Sequence, residues 1–144
     1  MHIESFYPVL MARDVQGVAA FYRDLFGFEV TFESVWYVSL KTSGPSRDFE
    51  LAVLHPDHPT VPQGYGSPAQ GVIVNVEVDD AAAHYRRIVE GGLAPEVLTL
   101  RDEEFGQRHF IIVDPGGGLV DVIQNIPPSG EFAAMYTEQA DGQG

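Results

Sequence analysis

Two carboxylates in the sequence stand among apolar residues, where an acid must find a partner. Asp121 lies within a Val-Asp-Val run and Glu50 within Phe-Glu-Leu. Successive side chains of a strand point to opposite faces, so each acid points away from the face that its apolar neighbours cover. Burying a carboxylate without a partner is costly. We therefore expect each acid to meet a cationic ligand, water or one of three side chains: His109, Arg108 or Tyr7. Alternatively, the two acids share a proton with each other or bond to local hydroxyl groups.

Asp121 belongs to the stretch Gly106–Gln124, GQRHFIIVDPGGGLVDVIQ, which predicts a hairpin. Two apolar strands, Arg108–Val113 and Leu119–Ile123, are joined by a DPGGG segment at residues 114–118. Proline and glycine favour a tight reversal, since glycine accepts positive φ without steric cost. The Gly-rich turn lacks the Lys and Ser/Thr of a phosphate-binding loop.

The elements that position these residues occur twice along the chain. The sequence of the first half predicts a strand, a helix and three further strands, and the helix begins at the capping residue Asp14 and ends at Gly27. The second half repeats this order. Its helix is capped by Asp79 or Asp80 and ends at Gly91-Gly92. The predicted strands are Ile3–Leu10, Phe28–Glu33, Val35–Lys41 and Phe49–Leu54, then Gly71–Val78, Pro95–Arg101, Arg108–Val113 and Leu119–Gln124. Such a repeat favours two modules packing side by side with a shared concave surface.

These elements predict one domain over residues 1–144. It comprises a first βαβββ module (3–54), a proline-rich linker (55–70), a second module (71–126) and a tail (127–144). The EFAAMY run of the tail either forms a short helix against a partner or is a loosely docked terminus.

Composition excludes several classes of function. The 21 acidic and 8 basic residues give a net charge of −13, which disfavours binding to nucleic acid and to anionic membranes. There is no cysteine, so thiolate catalysis and Cys-based zinc sites are excluded. With no signal-like start and no stretch of about 20 apolar residues, we expect a soluble, cytoplasmic protein.

The paired repeat, the VLMARDVQGVAAFYRDLFGF segment and HFIIVDPGGGLVDVI resemble the vicinal oxygen chelate superfamily, the group of glyoxalases, bleomycin-resistance proteins and extradiol dioxygenases. The resemblance spans about Ile3–Ile126 and implies an α+β fold, in which two tandem βαβββ modules form a concave, funnel-like mixed sheet with helices outside. It also implies a homodimer. The resemblance says less about function than about fold, because proteins that share this fold have many different activities.

Metal-dependent members of this superfamily place four ligands in the funnel, and the resemblance puts those positions at Tyr7, Glu50, Ile73 and Asp121. Only two of the four carry carboxylates. Divalent metals need imidazole and carboxylate donors, so no metal is favoured. If a divalent metal binds, its expected ligands are Glu50, His109 and Asp121.

The cavity lining is predicted from strand parity and from the resemblance. It comprises Tyr7, Glu50, Ile73, Asn75, His109, Ile111 and Asp121, while Trp36 and Tyr37 occupy opposite faces, so one of them lines the cavity. His109 has a pKa suited to a general base, yet a strand histidine is more often a packed polar contact. The His55-Pro56-Asp57-His58 run is a weak metal candidate, and Asp102-Glu103-Glu104 is typical of a solvated turn.

Three functions stay open. The first is a metal-independent small-molecule-binding protein of the bleomycin-resistance type, sequestering a cationic or aromatic compound. The second is a divalent-metal-dependent lyase, isomerase or dioxygenase of the same superfamily. The third is a structural interaction domain whose funnel is filled by side chains.

Overall fold

A computed structural model describes residues 1–136 of the chain. The chain divides into two compact units: the first comprises Met1–Val72 together with Asp114–Gly118, and the second comprises Ile73–Val113 and Leu119–Gly144. Each contains one four-stranded mixed sheet and one principal helix. The α+β class and the two βαβββ repeats predicted from the sequence are confirmed.

The first unit follows the order β1, α1, β2, β3, β4. These elements are β1 Val9–Met11, α1 Val15–Phe26, β2 Glu29–Glu33, β3 Tyr37–Ser43 and β4 Asp48–Leu54. The sheet order is β1-β4-β3-β2, with β1 parallel to β4 and the other pairs antiparallel. Because β1 pairs with the last strand of its module, the two chain ends of the module lie next to each other in the sheet.

Helix α1 has the boundaries that its capping residues dictate. The Asp14 carboxylate accepts a hydrogen bond from the Gly17 amide at 2.9 Å, and Gly27 ends the helix with φ +73°. The apolar side of the helix packs on the sheet of its unit, with Val18 and Tyr22 at most 1% exposed. The predicted start and end of this helix are therefore confirmed.

The second unit repeats the order with a different second helix. Its elements are β5 Ile73–Glu77, α2 Ala81–Tyr85, a π-helical turn Arg86–Glu90, β6 Glu96–Glu103, β7 Gln107–Val113 and β8 Leu119–Asn125. The sheet order is β5-β8-β7-β6, the same arrangement as in the first unit. Asp80 caps α2 by accepting a hydrogen bond from the Ala83 amide at 3.0 Å, which decides between the two predicted capping residues.

Strand β8 alternates as its sequence predicts. Val120 and Val122 are fully buried with Phe110 and Ile112 of β7. Residues 119, 121 and 123 point to the opposite face, so Asp121 lies on that face among the side chains of β5 and β7.

The turn at residues 114–118 is organised by Asp114. Its Oδ1 accepts hydrogen bonds from the amides of Gly116 (2.8 Å) and Gly118 (3.0 Å), and its Oδ2 accepts one from the Tyr22 hydroxyl at 3.4 Å. Gly117 has φ +89°, a conformation in which a side chain would be strained. The tight reversal predicted from DPGGG is therefore confirmed.

Some predicted boundaries differ from the structure. The first strand is Val9–Met11 rather than Ile3–Leu10, because Pro8 has no N–H and residues 1–8 make no strand ladder; only the Pro8 carbonyl joins it, accepting from the Ala52 amide at 3.1 Å. The third strand is Tyr37–Ser43 rather than Val35–Lys41, since the Ser34 hydroxyl accepts from the Tyr37 amide at 3.1 Å and closes a turn there.

The tail forms a 3-10 helix, Gly130–Met135, beside the turn between β6 and β7. Phe132 makes an edge contact with Phe105, and the Tyr136 hydroxyl donates to the Phe105 carbonyl. The rest of the predicted tail, residues 137–144, lies outside the described residues. No helix within residues 1–136 combines the length and the hydropathy needed to cross a bilayer.

Candidate functional site

His109 of β7 lies between two carboxylates in the second unit. Its Nδ1 is 2.8 Å from Oδ1 of Asp121 and 3.1 Å from Oδ2, and its Nε2 is 2.8 Å from Oε2 of Glu103. The His109 side chain is 7% exposed, the Asp121 side chain 11% and the Glu103 side chain 20%. We call these three residues the histidine–carboxylate cluster.

The geometry, together with the direction of the pKa shifts of His109 and Glu103, favours one protonation state of the cluster. A neutral imidazole has one N–H and one lone pair, and a lone pair facing a carboxylate oxygen at 2.8 Å is repulsive. Both contacts are satisfied when His109 is an imidazolium that donates to Asp121 and to Glu103. The cation expected beside Asp121 is therefore supplied by the protein.

Opposing effects act on the pKa of His109. Burial lowers it, but the hydrogen bonds to Glu103 and Asp121 and the charges of these two carboxylates outweigh burial, so the pKa of His109 is raised. The pKa of the Glu103 carboxyl is lowered by its hydrogen bond to His109 and then by that to Arg101. Both shifts favour the charged forms.

Arg101 of β6 extends the cluster. Its Nε donates to Oε2 of Glu103 at 2.8 Å, the same oxygen that His109 contacts. The sequence suggested a solvated turn at residues 102–104. In the structure, Glu103 is instead the last residue of β6. Because side chains alternate along a strand, Glu103 lies on the same face as Arg101, whereas Asp102 lies on the opposite face. That alternation, read with the hairpin between β6 and β7, is the signal that could have identified Glu103.

Arg108, another expected partner of Asp121, bonds elsewhere. Its Nε donates to Oδ1 of Asp102 at 2.8 Å, on the opposite face of the same strand pair. Strand alternation sends Arg108 and His109 to different faces, so His109 alone of the two reaches Asp121.

Three further predicted residues neighbour the cluster in the sheet. Asn75 of β5 and Ile111 of β7 stand opposite Asp121 in the strand register, and Ile73 stands opposite Leu119. Asn75 is exposed, Ile111 half-buried, and Ile73 is 54% exposed. This face of the second unit thus combines a shielded ion cluster with accessible amide and apolar side chains.

The remaining predicted residues lie in the first unit. Glu50 of β4 is exposed and accepts a hydrogen bond from the Ser5 hydroxyl at 2.9 Å. Tyr7 is 45% exposed, and the pKa of Tyr37 is raised by burial and by Tyr7, although Ser39 acts to lower it. Lys41 stands opposite Glu50 in the register, but its ammonium bonds to Asp48 at 3.1 Å. Glu50 therefore remains an accessible anionic group.

The rings of Trp36 and Tyr37 contact each other, with centroids 5.7 Å apart; Tyr37 begins β3, so strand alternation does not extend to Trp36. The Trp36 ring also stacks on the His58 ring, with centroids 3.6 Å apart and planes 10° apart. In the proposed loop metal site, the Nδ1 atoms of His55 and His58 instead accept backbone hydrogen bonds from Asp57 and Thr60.

The donor set does not fit the metal site of metal-dependent relatives. Ile73 offers no donor atom, and in His109 both nitrogens are directed at carboxylates of the same chain. Among residues 1–136, no group of three or more His, Asp or Glu side chains is arranged to hold a metal ion. A divalent metal would have to displace His109 from one of its carboxylates before binding it.

Two βαβββ units of identical strand order define the class of protein. A family model described as the Glyoxalase/Bleomycin resistance protein/Dioxygenase superfamily matches residues 2–122. The chain belongs to this superfamily, so the resemblance found in the sequence is confirmed.

Solved structures show the same fold at low identity. A lactoylglutathione lyase from Agrobacterium tumefaciens is 21% identical, with a TM-score of 0.65 over 86% of this chain and 96% of its own. TioX from Micromonospora sp. ML1 is 21% identical, with a TM-score of 0.67 over 86% and 100%. A glyoxalase/bleomycin resistance protein/dioxygenase from Nocardioides is 15% identical, with a TM-score of 0.69 over 91% and 89%. A search of curated protein sequences found no match.

Proposed function

We propose that the protein binds a small molecule without a metal, in the manner of bleomycin-resistance proteins. The observation that carries the proposal is the state of His109, whose two nitrogens are satisfied by Asp121 and Glu103. The residue best suited to ligate a metal is thereby committed to an internal ion pair, while Glu50 stays accessible.

We further propose that Glu50 selects a cationic aromatic compound. Its carboxylate is exposed, and the Tyr7 side chain of the same unit is 45% exposed. A carboxylate attracts an ammonium group, and an exposed aromatic ring offers a face to the ring that the ammonium group carries. The net charge of −13 adds a long-range attraction for cations. Within the second unit, taken by itself, we propose Asn75, Ile111, Ile73 and the histidine–carboxylate cluster as a separate set of candidate ligand contacts.

Fluorine NMR with three probes tests this selectivity. Para-fluorobenzylammonium, para-fluorobenzyl alcohol and para-fluorobenzoate share a ring and differ in charge. We expect the ammonium to bind more tightly than the benzoate, and Glu50→Gln to remove the preference for the ammonium over the alcohol. Asp24→Asn is the matched control, since it removes one exposed carboxylate from α1. Equal loss in both variants would show that net charge, and not Glu50, sets the preference.

Metal content tests the metal-independent part of the proposal. We expect protein purified without chelator to contain no stoichiometric transition metal, and titration with Zn²⁺ or Mn²⁺ to leave probe binding unchanged. One tightly held metal ion per chain, lost in both Glu50→Ala and Asp121→Ala, would instead support the metal-dependent lyase, isomerase or dioxygenase.

We also propose that the binding form is a homodimer, as the resemblance implies. Sedimentation velocity measures this directly. A monomer that binds the probes with unchanged affinity would remove dimerisation from the proposal and leave ligand binding intact.

A further inference from the structure

The turn between β6 and β7 follows Glu103 and is covered by residues 126–136, which we call the docked segment. Three consecutive backbone carbonyls of the turn accept hydrogen bonds from this segment, namely those of Glu104, Phe105 and Gly106. Their donors are, in the same order, the Ser129 amide at 2.8 Å, the Tyr136 hydroxyl and the Ile126 amide at 2.9 Å. The docked segment therefore holds the backbone of the turn at each of these residues.

Side chains add to this docking. Phe132 makes an edge contact with Phe105, with ring centroids 6.1 Å apart, and it is half-buried whereas residues 133–135 are exposed. Gly106 has φ +106°, and a side chain there would meet the Ile126 carbonyl oxygen at 2.9 Å, so only glycine permits this approach of the two backbones. Phe132 is thus the apolar anchor of the docked segment.

The position of Glu103 depends on this turn. Glu103 is the last residue of β6, and its carbonyl accepts a hydrogen bond from the Gly106 amide at 3.0 Å. Its Oε2 lies 2.8 Å from both Nε of Arg101 and Nε2 of His109. A displacement of about 1 Å would take Oε2 out of hydrogen-bonding range. Holding the turn in place therefore holds Glu103 on His109.

His109 has a different chemistry without Glu103. Asp121 is its more deeply buried partner, with a side chain 11% exposed against 20% for Glu103. An imidazole that keeps Asp121 alone donates from Nδ1 and carries a lone pair on Nε2. A ring nitrogen of this kind, oriented by a carboxylate on the other side of the ring, is able to accept a proton.

We propose that the docked segment keeps His109 closed by holding Glu103 on Nε2, and that release of the segment exposes this nitrogen as a proton acceptor. The proposal rests on the proposed function for its starting point, the committed state of His109. It adds the element that maintains this state and the chemistry of the released one. All of the residues concerned belong to the second unit.

Acylation by diethyl pyrocarbonate tests the proposal, because this reagent attacks the lone pair of an unprotonated imidazole nitrogen. Mass spectrometry of peptides gives the rate at each histidine separately. The test uses the full-length chain with the paired substitutions Phe132→Ala and Tyr136→Phe, which remove the anchor and one donor of the docked segment. We expect His109 to react at least about fivefold faster in this double variant, since each lost contact raises the population of the opened turn.

Met135→Ala and Phe132→Tyr are the matched controls. Met135 belongs to the same 3-10 helix but is 63% exposed, and Phe132→Tyr keeps the aromatic ring. Both should leave the rate at His109 at its wild-type value. His58 of the first unit is half-buried and stacked on Trp36, so its rate reports general loosening of the protein and should stay unchanged in every variant.

Combined variants test whether the docked segment acts through Glu103. Glu103→Ala removes the carboxylate that closes Nε2 and should by itself raise the rate at His109. Adding the two segment substitutions to Glu103→Ala should then give no further increase, because the contact that they control is already gone.

The outcomes decide the proposal without a ligand or a metal. A faster reaction at His109 alone, with no further increase once Glu103 is removed, supports it. An unchanged rate at His109 in the double variant overturns it, as does an effect that adds to that of Glu103→Ala or an equal rise at His58. Failure of the proposed function would appear instead in the metal content and in probe binding, which are measured separately.

Discussion

His109 and Asp121 form a buried ion pair across neighbouring strands, with Nδ1 of the imidazole 2.8 Å from Oδ1 of the carboxylate. The two residues are separated by a hairpin and are not directly opposite in the strand register, where His109 faces Ile123 and Asp121 faces Ile111. Their side chains meet diagonally on one face of the sheet. Glu103 completes the bonding of His109 from β6, so one imidazole links three strands.

The first prediction concerns the dependence of stability on pH. The pKa of His109 is raised above its ordinary value of 6.5 in the folded protein. The stability contributed by the imidazolium is therefore fully present below about pH 6.5 and is lost as pH rises through the raised pKa. Urea unfolding followed at a series of pH values from about 6 upward should show the free energy of unfolding falling over this window.

The control for this pH effect is His109→Gln, which has no imidazolium to lose. Its stability should be lower at the acidic end, and the fall across the window should flatten. The His2→Gln variant changes an exposed histidine outside the described elements and should keep the wild-type profile. A profile for His109→Gln that parallels the wild type would contradict the assignment of His109 as the titrating group.

The second prediction compares the two carboxylates of the cluster. Asp121→Asn removes the more deeply buried one and leaves an imidazolium with one anionic partner, which should cost about 3 kcal/mol of unfolding free energy. Glu103→Gln should cost less, because water reaches the Glu103 side chain more easily. Urea unfolding at constant pH measures both. An equal or reversed order would mean that the buried pair is not the stronger one.

The third prediction tests the cap of the second helix. Asp80 caps α2, whereas its neighbour Asp79 precedes the helix. Asp80→Ala should lower the free energy of unfolding by about 1 kcal/mol, since the Ala83 amide loses its acceptor. Asp79→Ala removes the same charge without removing the cap and should have a smaller effect. Similar losses in the two variants would point to charge rather than capping.

The fourth prediction concerns the buried bond between Tyr22 and Asp114. The Tyr22 side chain is fully buried, and both burial and Asp114 raise the pKa of its hydroxyl, so it stays neutral and donates. Tyr22→Phe should cost about 1 kcal/mol. Asp114→Ala also strips the amides of Gly116 and Gly118 of their acceptor, and should cost about 3 kcal/mol. Thermal unfolding of the two variants should show this order; the reverse order would contradict the role of Asp114 in the turn.

The sequence by itself determined the repeated order of elements. Helix α1 begins at Asp14 and ends at Gly27 because the carboxylate caps the amides and glycine accepts positive φ, and both effects are local. The alternation of residues 119–123 likewise placed Asp121 on the face opposite its valine neighbours. The DPGGG turn followed from the conformational freedom of glycine. The helix segment and the hairpin that follow these local rules are also the segments in which the resemblance to the superfamily was found.

Tertiary structure decided which groups meet. No local rule states that Glu103 and Asp121 approach the two nitrogens of one imidazole, because this depends on the register of β6 and β8 against β7. The same holds for His58, whose ring stacks on that of Trp36, a residue distant in the sequence, and so ties the proline-rich segment to the first unit. Strand parity assigns faces, but the distances between side chains on a face are set by strand pairing, bulges and loop packing.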